Sequence, residues 1–421
     1  MNVLIVGGGA REHALAWKLK QSPRIGELFV APGNAGTATI ARNLDIAAND
    51  IERLAAAARA RKMGLTIVGP EGALADGIVD LFHEQGLAIV GPTSGAARIE
   101  SSKVFARDLM RRKGIPAAAG VVFDSYLAAK GYVESCPAPI VIKADGLAAG
   151  KGVVVAQSRG QALQALKDAM ETKVFGASGE KVIVEECLSG REVSLLAFTD
   201  GATVTPMVPA CDHKRVFAGD QGPNTGGMGS FSPPRFFDAS LTRTVVRTIL
   251  EPAIAGMAEA GTPFAGVLYA GLMLTEEGPK VLEFNARFGD PEAQAILPRL
   301  KTDLLEICLA IARKRLASVE IEWSPDPCVG VVLASGGYPG NYEKGFPIFG
   351  LEKTDPDVLV FHAGTRVAPD KGVVTDGGRV LTVAAMGHNM AEARRKVYDN
   401  IPRINFSGCH YRKDIALAEV D

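Results

Sequence analysis

Short apolar runs alternate with longer stretches of mixed polarity over the first hundred residues. Four runs of strand length each lead into a turn rich in glycine, proline, asparagine or glutamate: Val3–Val6, Leu28–Ala31, Leu65–Val68 and Leu87–Val90. The stretch Arg11–Lys20, between the first two runs, is predicted to be helical. This rhythm predicts an open parallel α/β sheet, in which ligands bind beyond the carboxyl ends of the strands.

Beyond about residue 120 the pattern changes to strands separated by glycine-rich connections. Strands at Ile140–Lys143 and Val153–Ala156 are predicted to flank a glycine-rich loop. Further elements are predicted as a helix over 159–171, a strand over 182–185, a long connection over 212–234, a helix over 241–260, strands over 267–274 and 280–285, and a helix over 301–315. The segment Trp323–Cys328 marks a boundary before a small, mainly β domain.

Composition places the chain among ordinary globular proteins with several domains. Its 421 residues are too many for one core, and 47% of them are apolar and 22% charged. The formal net charge of -1 gives no overall field that would recruit nucleic acid. Six scattered cysteines without a C-x-x-C pair are typical of reduced thiols. With no basic leader and no apolar stretch of about 20 residues, we expect a cytoplasmic protein without a membrane partner.

The turn Gly7-Gly8-Gly9 after the first strand is a candidate phosphate loop. A dinucleotide fingerprint would need a glycine or alanine where Glu12 stands, so an NAD-dependent dehydrogenase is disfavoured. Backbone N–H groups at a helix start could instead hold a small phosphorylated ligand. A tight turn without a ligand remains the alternative.

The loop between the strands at 140–143 and 153–156 carries Lys143 and Lys151 beside Gly146 and Gly150. Its spacing does not match the Walker A motif. A hairpin-like lid with two cations would exclude water from a polyphosphate and neutralise its charge. A solvated glycine-rich hairpin is the alternative.

Two acidic segments could complete a nucleotide and metal site. Glu185-Glu186 ends a strand whose backbone could read an adenine edge, although a charged sheet edge would look the same. Glu283 and Asn285 share one strand face, as two oxygen donors for a hard cation such as Mg²⁺ would. A polar row on an edge strand is the alternative there.

The glycine-rich stretch 222–230 follows Asp212-His213-Lys214-Arg215 and would let main-chain N–H groups approach an anion. His213 is interpreted as a structural or hydrogen-bonding residue rather than a general base. No Ser/His/Asp or Cys/His arrangement is visible, so a covalent enzyme intermediate is not expected.

Several of these segments match known motifs over nearly the whole chain. They read Lys-Ala-Asp-Gly-Leu-Ala-Ala-Gly-Lys-Gly at 143–152, Asp-His-Lys-Arg at 212–215, Gly-Pro-Asn-Thr-Gly-Gly-Met-Gly at 222–229 and Leu-Glu-Phe-Asn-Ala-Arg-Phe-Gly-Asp-Pro-Glu at 282–292. Together they resemble the ATP-grasp superfamily, and within it the family of glycinamide ribonucleotide synthetases. The resemblance implies an α/β protein: an ATP-grasp fold preceded by an open parallel α/β domain and followed by a small, mainly β C-terminal domain.

The resemblance also implies a domain order and a reaction. The parts would be an N-terminal substrate-binding domain at 1–102, a first ATP-grasp part at 103–188 with a mobile lid at about 121–188, a second ATP-grasp part with the metal site at 189–325, and a C-terminal domain at 326–421. ATP would phosphorylate the glycine carboxylate, and the amine of 5-phosphoribosylamine would attack the glycyl phosphate, a step of de novo purine synthesis. Mg²⁺ or Mn²⁺ would assist, and the enzyme would be a monomer or weak dimer.

Site roles follow from the same resemblance. ATP would contact Lys103, Lys143, Gly150, Lys151, Glu185, Glu186, Leu188 and Glu192, and the metal ion would contact Glu283 and Asn285. The substrates would contact Gly9, Asn34, Gly36, Glu71, Asp212, Lys214, Asn224, Thr225, Gly226, Gly227, Met228, Arg287, Asp290 and Glu292. Arg287, Lys151 and Asp212 would be the catalytic residues.

Two positions depart from the family pattern. Ala10 stands where the first loop usually has a further glycine, and the strand Leu268–Leu274 lacks the metal-binding carboxylate that many ATP-grasp enzymes carry. Another ATP-grasp carboxylate–amine ligase, a phosphoribosyl carboxylase and a non-catalytic nucleotide-binding protein remain as alternatives. The segments 212–229 and 287–292 favour the glycine ligase, and the intact lysine and Glu283/Asn285 pairs argue against a non-catalytic protein.

Overall fold

The computed structural model describes residues 1–147 and 152–420. Its N-terminal part is a parallel sheet in the order β3-β2-β1-β4-β5, as the apolar runs predict. The strands are β1 Asn2–Gly7, β2 Leu28–Pro32, β3 Arg42–Asn43, β4 Met63–Val68 and β5 Ile89–Val90, and the helices are α1 Ala10–Leu19, α2 Thr37–Ile40, α3 Ile51–Ala60, α4 Glu71–Ala75, α5 Ile78–Glu84 and α6 Ser94–Ser101. The two-residue β3 was not predicted, because Arg42 and Asn43 form no apolar run.

The next unit is a four-stranded antiparallel sheet in the order β6-β9-β7-β8, covered by two helices. Helix α7 Lys103–Lys113 leads into it; the unit comprises β6 Gly120–Phe123, α8 Tyr126–Ser135, β7 Ile140–Ala144, β8 Val153–Ala156, α9 Arg159–Met170 and β9 Val182–Glu186. Its apolar residues form a core of their own, which includes Val133, Ile142 and Leu166. The predicted hairpin of β7 and β8 is confirmed, with Ile140 opposite Ala156.

A second four-stranded sheet, in the order β11-β10-β16-β17, supports the other half of the site. Its strands are β10 Arg191–Asp200, β11 Val204–Pro206, β16 Ala265–Thr275 and β17 Gly278–Asn285, and the helices nearby are α10 Ala239–Val245, α11 Glu251–Glu259, α12 Glu292–Ile296 and α13 Leu304–Ala312. A π-helical turn, Val246–Leu250, joins α10 to α11. Pro252 follows this turn and lacks a backbone N–H, which removes one regular helical hydrogen bond.

The C-terminal sheet has the order β12-β15-β18-β22-β19 and so takes two strands from residues far earlier in the chain. The remaining strands are β12 Cys211–Asp212, β13 Arg215–Phe217, β14 Gln221–Asn224, β15 Gly229–Ser232, β18 Cys328–Ala334, β19 Val358–His362, β20 Thr365–Ala368, β21 Gly372–Thr375 and β22 Arg379–Met386. The prediction of a plain connection over 212–234 is therefore wrong. Its strands are two to four residues long and rich in glycine, so they carry no period-2 apolar pattern.

One helix of the C-terminal part, α14 Met390–Asn400, was not predicted. Its start has an ordinary signal, since the Asn389 side chain accepts the backbone N–H of Glu392 at 2.9 Å. The helix packs on β18 and β22.

All six cysteines are free thiols, as their spacing predicts. Among the described residues, each helix is too short or too polar to cross a bilayer.

Candidate active site

Lys143, near the end of β7, links the unit from β6 to β9, here called the lid unit, to the second sheet. Its side chain is buried, and its Nζ lies 2.6 Å from Glu185 Oε2 and donates to the Leu282 carbonyl at 2.9 Å. Glu185 is also paired with Arg107 at 2.8 Å. The Glu185 carboxylate therefore holds two cations at the seam between the sheets.

Lys103, the first residue of α7, reaches the same seam. Its Nζ donates to the Gly146 carbonyl at 3.0 Å, at the start of the predicted lid loop. Burial lowers the pKa of Lys103, Glu283 raises it, and Lys143 lowers it further. Lys103, Lys143 and Glu283 thus interact within one electrostatic cluster, as ATP phosphates bound there would require.

Of the other predicted nucleotide residues, Glu192 lies beside a shallow recess. Glu192 pairs with Lys214 at 2.8 Å, and both line this recess together with Asp212 and Leu282. Leu188 is half-buried and lies between β9 and β10. The exposed Glu186 accepts the backbone N–H of Ala119 at 2.7 Å, so its carboxylate is turned towards the start of the lid unit.

Gly150 and Lys151 lie outside the described residues.

Glu283 and Asn285 flank the buried Phe284 on β17 and are both half-buried. Among the described residues, no hydrogen-bond or ion-pair partner satisfies either side chain. Burial raises the pKa of Glu283, but Lys214, Lys103, Lys143 and Arg287 outweigh it and hold the pKa below its usual value. Two free oxygen donors fit a hard cation.

The surrounding cations restrict how a metal ion could sit there. The described part of the chain has no cluster of three or more His, Cys, Asp or Glu side chains that could hold an ion. A divalent ion among four cationic side chains would therefore need ligand phosphates and water as further partners. The donor set fits Mg²⁺ delivered together with a nucleotide.

Arg287, two residues after Asn285, is held by two carboxylates. Its guanidinium is 2.9 Å from Glu100 Oε1 and 3.3 Å from Glu71 Oε2. Burial lowers the pKa of Arg287, but Glu100 and Glu71 outweigh it and raise the pKa. Burial raises the pKa of Glu71, yet Arg287 and Arg11 bring it below its usual value. Arg287 is therefore a fixed positive charge.

Glu292 lies at the start of α12 and is almost completely buried. Tyr269 donates to its Oε1 at 2.6 Å, and Ser194 Oγ lies 2.7 Å from the same hydroxyl. This chain of hydrogen bonds crosses β16 and β10 and fixes the Glu292 carboxylate.

Asp212 and Lys214 lie on the strand and turn that precede the glycine-rich loop. Burial raises the pKa of Asp212 to about 7; Lys214 opposes this rise, and Glu292 and Glu192 add to it. Asp212, Glu192 and Glu283 raise the pKa of Lys214 in spite of its burial. Asp212 can therefore exchange a proton near neutral pH, which few carboxylates can.

His213 is less suited to proton transfer. Burial lowers its pKa to about 4, its ring packs against Phe231, and its buried Nδ1 has no partner within the described chain. Its backbone N–H and carbonyl pair with Gly229 and Met228. The predicted hydrogen-bonding role is thus met by the backbone of His213, not by its ring.

The loop over 224–229 is held by short internal bonds. Thr225 Oγ1 donates to the Lys214 carbonyl at 2.8 Å and accepts the N–H of Gly227 at 2.9 Å. A Cβ at Gly227, which has φ +107, would overlap Pro291, so the loop packs directly on the turn before α12. Met228 is fully buried and both its backbone polar groups are bonded, whereas Asn224 is exposed.

Asn34 organises the N-terminal loops. Its amide Nδ2 donates to the carbonyls of Gly8 at 2.9 Å and His362 at 2.7 Å, and its Oδ1 accepts the N–H groups of Gly36 and Thr37. Both the nitrogen and the oxygen of the amide therefore make their hydrogen bonds within the protein. Gly36 packs against His362. Any contribution of Asn34 to substrate binding would pass through the shape of these loops.

Gly9 brings the first loop to the same region. Its N–H donates to Glu12 Oε2 at 2.6 Å, and a Cβ added to Gly9 would lie 3.5 Å from Asp290 Oδ2. The predicted phosphate loop therefore faces the turn before α12.

The predicted residues fall into two adjoining groups. Lys103, Lys143, Glu185 and Glu283 form the first, at the seam of the two sheets. The second surrounds Arg287 and Asp290 at the edge of the parallel sheet, where the loops at 8–9, 34–36, 71 and 224–229 meet.

Four partners in these groups were not predicted: Arg107, Glu100, Tyr269 and Arg379. Each of them contacts a residue at least 23 positions away in the sequence, and none belongs to a short sequence motif. They can be identified only from contacts in the folded structure.

Comparison with known proteins covers nearly the whole chain. Family models for phosphoribosylglycinamide synthetase match in three parts: the N domain over residues 1–100, the ATP-grasp (A) domain over 101–293 and the C domain over 328–418. The phosphoribosylamine–glycine ligases of Halalkalibacterium halodurans and Pseudomonas aeruginosa are 50% and 51% identical, and each match covers 100% of this chain and 98% of the relative.

A solved structure agrees with the sequence comparison. The crystal structure of phosphoribosylamine–glycine ligase from Thermotoga maritima has a TM-score of 0.86 and 31% identity, covering 99% of this chain and 100% of that one. The predicted fold class is confirmed. The chain belongs to the phosphoribosylglycinamide synthetase family.

Proposed function

We propose that the chain is a phosphoribosylamine–glycine ligase that uses ATP to join glycine to 5-phosphoribosylamine. The products are glycinamide ribonucleotide, ADP and phosphate, in de novo purine biosynthesis. The observation that carries the proposal within the structure is the cationic cluster of Lys103, Lys143 and Lys214 around Glu283, whose carboxylate has no partner among the described residues. Full-length relatives of this activity support the choice of substrates.

The reaction proceeds in two displacements. A glycine carboxylate oxygen attacks the γ-phosphorus of ATP, and the bond to the ADP oxygen breaks. The phosphoribosylamine nitrogen then attacks the carbonyl carbon of glycyl phosphate, and phosphate leaves as the nitrogen loses a proton. Such steps depend on positioning and charge neutralisation rather than on a nucleophilic side chain.

ATP lies at the seam of the two sheets in this proposal. Lys103 and Lys143, with Gly150 and Lys151 of the lid, hold its phosphates. Glu185, Glu186 and Leu188 lie along the adenine, and Glu192 binds the ribose. The convergence of Lys103 and Lys143 at the seam supports this assignment.

Glu283 and Asn285 would hold Mg²⁺, or Mn²⁺ in its place. The ion would supply positive charge beside the ATP phosphates. The side-chain oxygens of both residues, which have no partner among the described residues, support this role.

The acceptor side is formed by the second group of residues. Arg287 stabilises the transferring phosphoryl group, and Asp212 takes the proton that the amine loses; its pKa of about 7 supports that role. Lys214, Asp290 and Glu292 complete the pocket with Glu71, Gly9, Asn34 and Gly36 and with the loop of Asn224, Thr225, Gly226, Gly227 and Met228.

The division into domains at 102, 188 and 325, a cytoplasmic location and a monomeric or weakly dimeric state belong to the same proposal. The separate core of the lid unit supports a boundary near residue 188.

A coupled ADP-release assay tests the function. Phosphoribosylamine is generated in the cuvette from ribose 5-phosphate and ammonia, and ADP release is expected only when glycine, ATP and Mg²⁺ are all present. Release that continues without glycine, or that requires bicarbonate instead, would disprove the glycine ligase.

A further inference from the structure

Arg379, the first residue of β22, reaches out of the C-terminal sheet to two acceptor segments. Its Nη1 donates to the Gly226 carbonyl at 2.6 Å and to the Asp290 carbonyl at 2.8 Å. Its Nη2 lies 3.2 Å from Asp290 Oδ2. One guanidinium therefore ties the glycine-rich loop to the turn before α12.

The same loop is held from its other side by Tyr338. The backbone N–H of Gly226 donates to the Tyr338 hydroxyl at 2.9 Å. Gly226 is thus bonded through both its N–H and its carbonyl to side chains of the C-terminal part. A Cβ at Gly226 would lie 3.0 Å from the Arg379 Cζ, which shows how closely the guanidinium covers the loop.

Electrostatic attraction between Arg379 and Asp290 also stabilises this arrangement. Burial raises the pKa of Asp290, but Arg379 and Arg11 outweigh it and keep the carboxylate ionised. Asp290 also faces Gly9 of the first loop, so this side chain lies between the first loop and the loop over 224–229. A lysine at position 379 has one compact charge and could not make the three contacts of the planar fork.

We propose that Arg379, aided by Tyr338, is a positioning residue for the acceptor amine: it holds Gly226 and Asp290 in the geometry that 5-phosphoribosylamine binding requires. The proposal rests on the proposed function. It assigns Arg379 and Tyr338 of the C-terminal part a role in acceptor binding, because their side chains contact Gly226 and Asp290 of the second group.

Steady-state kinetics of Arg379→Gln test the proposal. We expect KM for phosphoribosylamine to rise about tenfold, the loss expected for one charge-assisted contact, while KM for ATP and for glycine stays within about twofold. Arg379→Lys should recover part of the loss. Arg366→Gln is the matched control: Arg366 is a half-exposed arginine on β20 whose weak ion pair with Asp376 leaves the acceptor loops untouched.

Tyr338→Phe keeps the proposal testable even if Arg379→Gln does not fold. It removes only the acceptor of the Gly226 N–H and should raise the same KM. If both residues act through Gly226, the double variant will show less than the sum of the two effects.

Equal changes in all three KM values, or an unchanged phosphoribosylamine KM in Tyr338→Phe, would overturn the positioning role. Failure of the wild type to release ADP with glycine and phosphoribosylamine would instead overturn the proposed function, whatever the variants do.

Discussion

At the scale of single residues, the nucleotide side of the site places several cations around one carboxylate. Lys103, Lys143 and Lys214 all lower the pKa of Glu283, and Arg287 adds to them. Lys143 and Lys214 are paired with Glu185 and Glu192, whereas Lys103 has no ion pair among the described residues and donates to the Gly146 carbonyl. A phosphate would supply an anion for Lys103, so this lysine is placed to bind a polyanion.

Glu283→Ala tests the metal role. We expect turnover at ordinary Mg²⁺ to fall at least about 100-fold, or ~2.7 kcal/mol of barrier, because a charged oxygen donor for the ion is lost. Calorimetry should also show weaker ATP binding in the presence of Mg²⁺. The control is Glu277→Ala, an exposed carboxylate just before the same strand that pairs only with Lys280. Near-normal activity of the Glu283 variant would remove the metal role.

The proton role of Asp212 predicts a particular pH dependence. Its pKa of about 7 means that the carboxylate form grows as pH rises through neutrality. The value of kcat/KM for phosphoribosylamine should therefore fall below about pH 7 in the wild type. Asp212→Asn should be slower, and its kcat/KM should not fall further below about pH 7. If the fall persists in this variant, a group other than Asp212 causes it.

Local sequence patterns predicted single residues where chemistry and spacing coincide. Glu283 and Asn285 stand two apart on one strand, and Lys143 begins a glycine-rich loop. Glu100 and Arg379 escaped prediction, because their partners at 287 and 290 lie roughly 90 to 190 positions away and only the fold brings them together.

At the scale of elements, the β7–β8 hairpin carries the cations of the lid, and Gly146 sets its exit from β7. Gly146 has φ +129, a region that disfavours other residues, and an added Cβ would overlap Ser178 Oγ. The Gly146 carbonyl also receives the Lys103 ammonium. The glycine is therefore needed both for the turn and for the place of Lys103.

Gly146→Ala should raise KM for ATP about tenfold or more, because the strained turn moves away from Lys103 and Ser178. Gly131→Ala is the matched control: Gly131 is an exposed residue inside α8 with open space around it, where alanine should stabilise the helix by about 0.5–1 kcal/mol. Nucleotide titration of both variants compares them, and equal KM values would show that the turn does not position Lys103.

Element prediction succeeded for most of the apolar runs but missed several short strands and the ten-residue strand β10. Each strand of the parallel sheet except β3 coincides with an apolar run of the sequence and was predicted from it. The hairpin of β7 and β8 was predicted as well. The strands between residues 211 and 232 were missed, since β12, β13 and β14 are only two to four residues long and β15 pairs with β18, about 100 residues away.

At the scale of the whole molecule, the apolar cores divide the protein into unequal cooperative units. One core joins Leu4 of the parallel sheet, Leu195 of β10 and Val331 of the C-terminal sheet. The lid unit has a separate core around Leu166. We therefore expect the lid unit to open or unfold while the rest of the chain stays folded.

Hydrogen exchange should show this division. Leu166→Ala, which leaves a cavity costing about 2–5 kcal/mol, should speed exchange in β7, β9, α8 and α9 alone. Val331→Ala should speed exchange in the parallel sheet, the second sheet and the C-terminal sheet together. Uniform acceleration by both variants would mean that the lid unit is not a separate unit.

The place of β15 in the C-terminal sheet has a consequence for any break in the chain. A polypeptide cut between α13 and β18 would give a C-terminal fragment without β12 and β15, with one edge of β18 open for pairing. The two fragments would reassociate by strand addition, which restores the sheet and carries the loop at 224–229 back to Arg379. Acceptor binding would then depend on fragment concentration, so a nicked enzyme would behave as a two-component complementation system.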